Sequence, residues 1–98
     1  MTIKTNANGT AATLAVAGRL DTQTAPELEQ ELDAIAGGLK ELTLDMNGLE
    51  YVSSAGLRVI LKAQKIMNAQ GSMKLTNVAD SIMEVFDITG FLDILTIE

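Results

Sequence analysis

The spacing of apolar residues changes along the chain, from every second position in short stretches to every third or fourth in longer ones. That change separates predicted strands from predicted helices. Residues 42 to 46 run Leu, Thr, Leu, Asp, Met, the period of a half-buried strand, before Asn47 and Gly48 interrupt it with turn chemistry. Residues 2 to 6 and 11 to 17 are earlier strand candidates, separated by the hairpin-like Ala7-Asn8-Gly9-Thr10. They predict an N-terminal antiparallel pair, and Met73 to Thr76 adds a fourth strand.

Helical spacing begins after Thr24-Ala25-Pro26-Glu27, where Thr24 can cap, Glu27 can reciprocate and Pro26 sacrifices no intrahelical hydrogen bond. Leu28, Leu32 and Ile35 then share one face, and Gly37 and Gly38 permit the helix to end. A second helix covers about 55 to 69 and stops near Gly71, with Ile60, Ala63 and Met67 inward. Ile82, Val85 and Phe86 mark a third, ending before Gly90; Ile94 to Ile97 reads as a short edge strand or a packed tail. Met46, Met67, Met73 and Met83 fall at core spacing and are assigned to packing.

Strands alternating with helices predict one α/β domain over residues 1–98, with a mixed, mainly parallel sheet of four or five strands. The polar alternation in strand three predicts helices mainly on one sheet face. In such a sheet the connections after strands two, three and four leave from one edge. That edge collects Gly18 to Thr24, Asn47 to Ala55 and Asn77 to Asp80, so Asp21 and Ser54 become predicted neighbours.

Composition narrows the chemistry. Ninety-eight residues with 47% apolar content suit a single core. The absence of Cys and His removes disulfides, thiolate and imidazole catalysis and zinc fingers. No Gly-rich phosphate loop with its lysine is present, so no enzymatic activity and no cofactor are expected. A net charge of −6 and three aromatic residues disfavour nucleic acid, which leaves a protein as the expected partner. No apolar run approaches the roughly 20 residues of a membrane span and the start lacks a secretory pattern, so the expected location is the cytoplasm.

Two features carry candidate function. Ser54, just before Ala55-Gly56-Leu57, is placed to cap the second helix, and a phosphate there would meet unsatisfied N–H groups and the positive end of the helix dipole. Residue type alone is satisfied by the cap. Further along, Arg58, Lys62 and Lys65 recur at spacings of four and three on one stripe. Residues 55 to 69 carry +3, so the rest of the chain carries −9. The stripe is either a solvated face or a contact for an acidic surface.

The stretch Leu42 to Leu61, LTLDMNGLEYVSSAGLRVIL, together with Gly18-Arg19-Leu20-Asp21, Thr24-Ala25-Pro26-Glu27-Leu28 and Asp87-Ile88-Thr89-Gly90-Phe91, resembles the STAS domain family. The likeness is to the single-domain bacterial anti-sigma factor antagonists in particular. The serine junction is its specific part. Many relatives have Asp before the acceptor serine and a hydroxyl after it, where this chain has Ser53 and Ala55. The resemblance implies that Ser54 is the phospho-acceptor, with Ser53 the second choice. Taken with the basic stripe Arg58, Lys62 and Lys65, it leads to an expected partner surface that also includes Asp21, Thr22, Ser53, Ser54 and Gly56, and it implies a loop-anchoring role for Asp45. It further implies an anti-sigma factor serine kinase as partner and a metal-dependent phosphatase that resets the switch, ATP and metal belonging to those proteins. The alternative it leaves is an accessory subunit of a lipid-trafficking ABC transporter, holding the ATPase without obligatory phosphorylation.

Overall fold

Alternation marks the second strand, whereas the first is exposed apart from a half-buried Ile3. The computed structural model describes residues 1–98, beginning with β1 (Thr2–Asn8) and β2 (Ala11–Leu20). They pair antiparallel from Thr2 opposite Ala17 to Asn8 opposite Ala11, so the turn is only Gly9-Thr10, with Gly9 at φ +62°. Ala7 and Asn8, expected in the loop, belong to the strand. In β2 every second residue, Ala12, Leu14, Val16, is buried, while Thr13, Ala15 and Ala17 between them stay half-exposed.

The chain continues through α1 (Ala25–Ile35), β3 (Glu41–Val52), α2 (Ser54–Gln70), β4 (Ser72–Thr76) and α3 (Asp80–Thr89), then a 3-10 turn, Phe91–Asp93. The sheet order is β1-β2-β3-β4, antiparallel at the first pair and parallel at the other two. Leu14, Val16, Leu42, Leu44, Met46 and Leu75 line one sheet face, and Leu28 and Leu32 of α1, Ile60 and Met67 of α2, and Ile82 and Phe86 of α3 close over them in one core cluster. Thr43 and Asp45 on the other face remain half-exposed, which a second layer of helices would prevent. Met46, Met67 and Met73 are buried, and Met83 packs at the core margin.

Strand β3 corrects the expected turn at Asn47-Gly48. It runs on to Val52, and its buried residues fall at Leu42, Leu44, Met46, Leu49 and Val52. The spacing widens from two to three because β3 carries extra residues against β2. Asp45 faces Ala15 but Gly48 faces Ala17; Leu49 faces Gly18 but Tyr51 faces Arg19. These bulges keep apolar side chains on the core face as the strand twists. Gly48 serves close approach: a Cβ there would lie 2.6 Å from the Ala17 Cβ. At the C-terminus, Leu75 N donates to Thr96 O and Glu98 N donates to Leu75 O, both at 2.9 Å. The tail therefore makes a single parallel bridge at Ile97 along the free edge of β4.

Candidate functional site

Parallel pairing of β2, β3 and β4 brings their C-terminal ends to one edge, as the order of elements predicts. Leu20 pairs with Val52, and Ser53 N donates to Leu20 O at 2.8 Å. One hydrogen bond thus joins the connection holding Asp21 to the one holding both serines.

The Asp21 loop is capped differently from expectation. Thr24 makes no side-chain cap for α1. Its hydroxyl instead donates to Arg19 O at 2.7 Å and accepts from Asp21 N at 2.8 Å. Asp21 Oδ1 accepts from the backbone N–H groups of Gln23 and Thr24, both at 3.0 Å, and Ala25 N donates to Asp21 O at 2.7 Å. Asp21 and Thr24 therefore form the reciprocal pair, three residues upstream of the predicted Thr24–Glu27 box. The Thr24 backbone N–H, above all, holds the Asp21 carboxyl below its ordinary 3.8; partial burial opposes this, while the Thr24 hydroxyl, the Gln23 N–H and Arg19 assist. Thr22 is exposed in the same turn.

The expected cap also moves by one residue. Ser53, not Ser54, caps α2: its backbone is extended (φ −97°, ψ 175°) and its Oγ accepts from Gly56 N at 3.3 Å. The cause is tertiary, because β3 continues to Val52 and the Leu20 carbonyl fixes Ser53 at the end of the strand. Ser54 is consequently the first helical residue, exposed, with a hydroxyl that makes no hydrogen bond within the protein. Gly56 is buried; a Cβ on it would lie 2.6 Å from Leu20 Cγ and 3.0 Å from Leu20 O. Its missing side chain lets the first turn of α2 rest on the end of β2.

The basic stripe is split. Lys62 Nζ lies 2.9 Å from Glu29 Oε2 and 3.1 Å from Asp33 Oδ1, bridging α2 to α1. These carboxylates, Glu29 first, hold its pKa above the ordinary 10.5. Arg58 and Lys65 are exposed and form no ion pair. A groove of about 380 Å³ runs between the first turns of α1 and α2, bordered by Thr22, Pro26, Glu29, Ala55, Arg58 and Lys62. Thr22, Arg58 and Lys62 therefore meet at one groove, while Lys65 lies further down the helix. A larger depression of about 490 Å³, bordered by Thr13, Glu41, Thr43 and Ser72, lies toward the opposite end of the parallel strands. It contains none of the predicted residues.

Two site residues escape a reading of the sequence. The Arg19 guanidinium sits over the Tyr51 ring, 4.1 Å from its centroid, with Nε 3.8 Å from Asp21 Oδ2. Tyr51 is 40% exposed, so an aromatic face stands beside the serines. The only sequence signal is the glycine at 48, and it marks the bulges that set Tyr51 opposite Arg19 only once the register is known. Asp45 behaves as expected of an anchor: its Oδ1 accepts from Asn47 N at 3.1 Å and Asn77 Nδ2 at 3.0 Å, tying β3 to the connection after β4. Asn77 itself has φ +56°, a conformation Asn tolerates better than most residues. No group of three or more acidic, Cys or His side chains is placed to hold a metal, and no helix is long and apolar enough to cross a membrane.

Comparison with known proteins finds relatives of this chain. The family described as "Mlab, STAS domain" matches residues 3–96. BtrV of Bordetella bronchiseptica, provisionally named an anti-sigma factor antagonist, is 39% identical over 82 residues, 82% of this chain and 71% of its own. The anti-sigma-B factor antagonist of Bacillus subtilis is 35% identical over 83 residues, 84% of this chain and 76% of its own. Among solved structures, the anti-sigma factor antagonist SpoIIAA in its unphosphorylated form superposes with a TM-score of 0.85 at 14% identity, over 99% of this chain and 88% of that one. The Bacillus SpoIIAA structure in the phosphorylated form superposes at 0.78 and 15% identity, over 99% and 91%. At that identity the likeness concerns the fold.

Proposed function

This chain belongs to the STAS domain family, and we propose that it is an anti-sigma factor antagonist whose docking is governed by phosphorylation of Ser54. Residues 1–98 act as one domain in the cytoplasm, as ligand and substrate of other proteins and not as a catalyst. Unphosphorylated, the chain binds an anti-sigma factor serine kinase through the edge formed by Asp21, Thr22, Ser53 and Ser54 and the upper end of α2, with buried Gly56 supporting it from beneath. The kinase modifies Ser54 and releases it, and a metal-dependent phosphatase restores the binding form.

The observation that supports this reading best is the state of Ser54. Its hydroxyl is exposed and unbonded because the neighbouring Ser53 supplies the cap. A phosphoryl group can be added there without removing a bond that holds the helix. The addition brings about −1.5 to −2 charges to an edge that already carries Asp21. A docking surface is therefore altered electrostatically while the fold stays as it is.

The test is phosphosite mapping by mass spectrometry on protein recovered from its own cells, with partners captured by wild type, Ser54→Ala and Ser54→Asp. Phosphate on Ser54 and loss of the kinase partner in Ser54→Asp are expected. Identical partners for all three forms would overturn the switch, and a stable complex with a transporter ATPase untouched by Ser54→Asp would favour the accessory-subunit alternative.

A further inference from the structure

We infer that Arg58 is the partner within the helix of a phosphate on Ser54, so that modification engages the same cation that the unmodified chain offers to an acidic surface. The inference rests on the phosphorylation reading above and concerns how that site is regulated. Ser54 and Arg58 stand four residues apart on α2, both exposed. Helical residues at this spacing share a face, and an anion N-terminal to a cation is the favourable order. Long helical side chains also lean back over the preceding turn, which for Arg58 is the turn that begins at Ser54.

The other cations of the stripe cannot take this part. Lys62 holds Glu29 and Asp33 across the seam between the helices. Lys65 is eleven residues beyond Ser54, about 16 Å along the axis at roughly 1.5 Å per residue. No acidic residue occupies the first turn of α2 to compete for the guanidinium. The neighbouring charged groups are already engaged with one another: Asp21 with the Thr24 and Gln23 N–H groups and Arg19, and Glu29 with Lys62. Asp80, which opens α3 on the same edge, adds negative charge and no cation.

A guanidinium offers paired donors that match two phosphate oxygens, which an ammonium does not. With Arg58 drawn onto the phosphate, the groove between α1 and α2 loses the unpaired cation on its border. Phosphorylation then acts twice, by adding an anion and by occupying a contact.

The experiment uses the 98-residue chain with phosphoserine installed at position 54 during translation, and follows the second phosphate ionisation by 31P NMR against pH. Arg58→Gln should raise that pKa by about half a unit or more, since a nearby cation favours the dianion. Arg58→Lys should fall between, and Lys65→Gln should match the unsubstituted protein. An unchanged titration in Arg58→Gln, or an equal shift in Lys65→Gln, overturns the inference. Because the phosphate is installed and not enzymatic, this outcome is independent of the phosphosite map that decides the switch itself. Circular dichroism of unmodified Arg58→Gln controls for folding.

Discussion

Ser53 and Ser54 occupy adjacent positions, yet one hydroxyl is spent on the Gly56 N–H and the other is free. Their substitutions should separate accordingly. Ser53→Ala removes the cap and should cost about 1 kcal/mol. Ser54→Ala replaces an exposed helical residue with the best helix former and should stay within about 0.5 kcal/mol of wild type. Urea denaturation of both variants measures the difference, and equal losses would mean that the cap is shared. The same asymmetry bears on modification: a phosphate on Ser53 would have to displace or reorganise the cap, whereas one on Ser54 would not. Asp21 belongs to the same class of residue as Ser53. Its carboxylate is committed to the backbone of its own turn, so its charge shapes the edge without being free to act as a base.

At the scale of elements, the seam between α1 and α2 decides how the basic stripe is used. Lys62 donates to two carboxylates of α1, which turns a cation of the predicted stripe into a tie between helices. Its pKa is raised by Glu29 and Asp33, so the contribution to stability is fully present below the ordinary 10.5 and is lost as pH rises through the higher folded value. Thermal denaturation of wild type and Lys62→Gln should therefore show a gap at neutral pH that closes in strong alkali. The gap should also narrow with added salt, because the pair is partly exposed. A gap that persisted unchanged through the alkaline range would assign the effect to packing of the lysine stem. On the other side of the site, the bulges of β3 set Tyr51 opposite Arg19, and the cation packs over the ring on the rim beside the serines.

At the scale of the molecule, one sheet face is covered by three helices and the core closes around Phe86, which is fully buried and stacks on Phe91 at 6.4 Å between centroids. Phe86→Ala should cost about 3–5 kcal/mol, a large part of the roughly 5–15 kcal/mol that domains possess. Ile88, two residues along the same helix but 85% exposed, should tolerate Ala within about 0.5 kcal/mol. Chemical denaturation of the two variants checks the contrast, and a comparable loss in Ile88→Ala would mean that the exposed face is buried in solution. The order of elements, the antiparallel first pair, the single-sided sheet and the meeting of Asp21 with the serine junction were all readable from periodicity and turn residues, because those are properties of neighbouring positions and of chain order. Three assignments required contacts between residues about thirty positions apart. Leu20 O fixes Ser53 as the cap, Glu29 and Asp33 recruit Lys62 from the stripe, and the shifted register of β3 on β2 carries the strand through Asn47-Gly48 and lays Arg19 over Tyr51. The sequence by itself determined which elements form and which edge gathers the polar connections. Only the tertiary structure decided which hydroxyl and which cation remain free there, since distant contacts fix where the strand ends and the helix begins, and draw Lys62 onto α1.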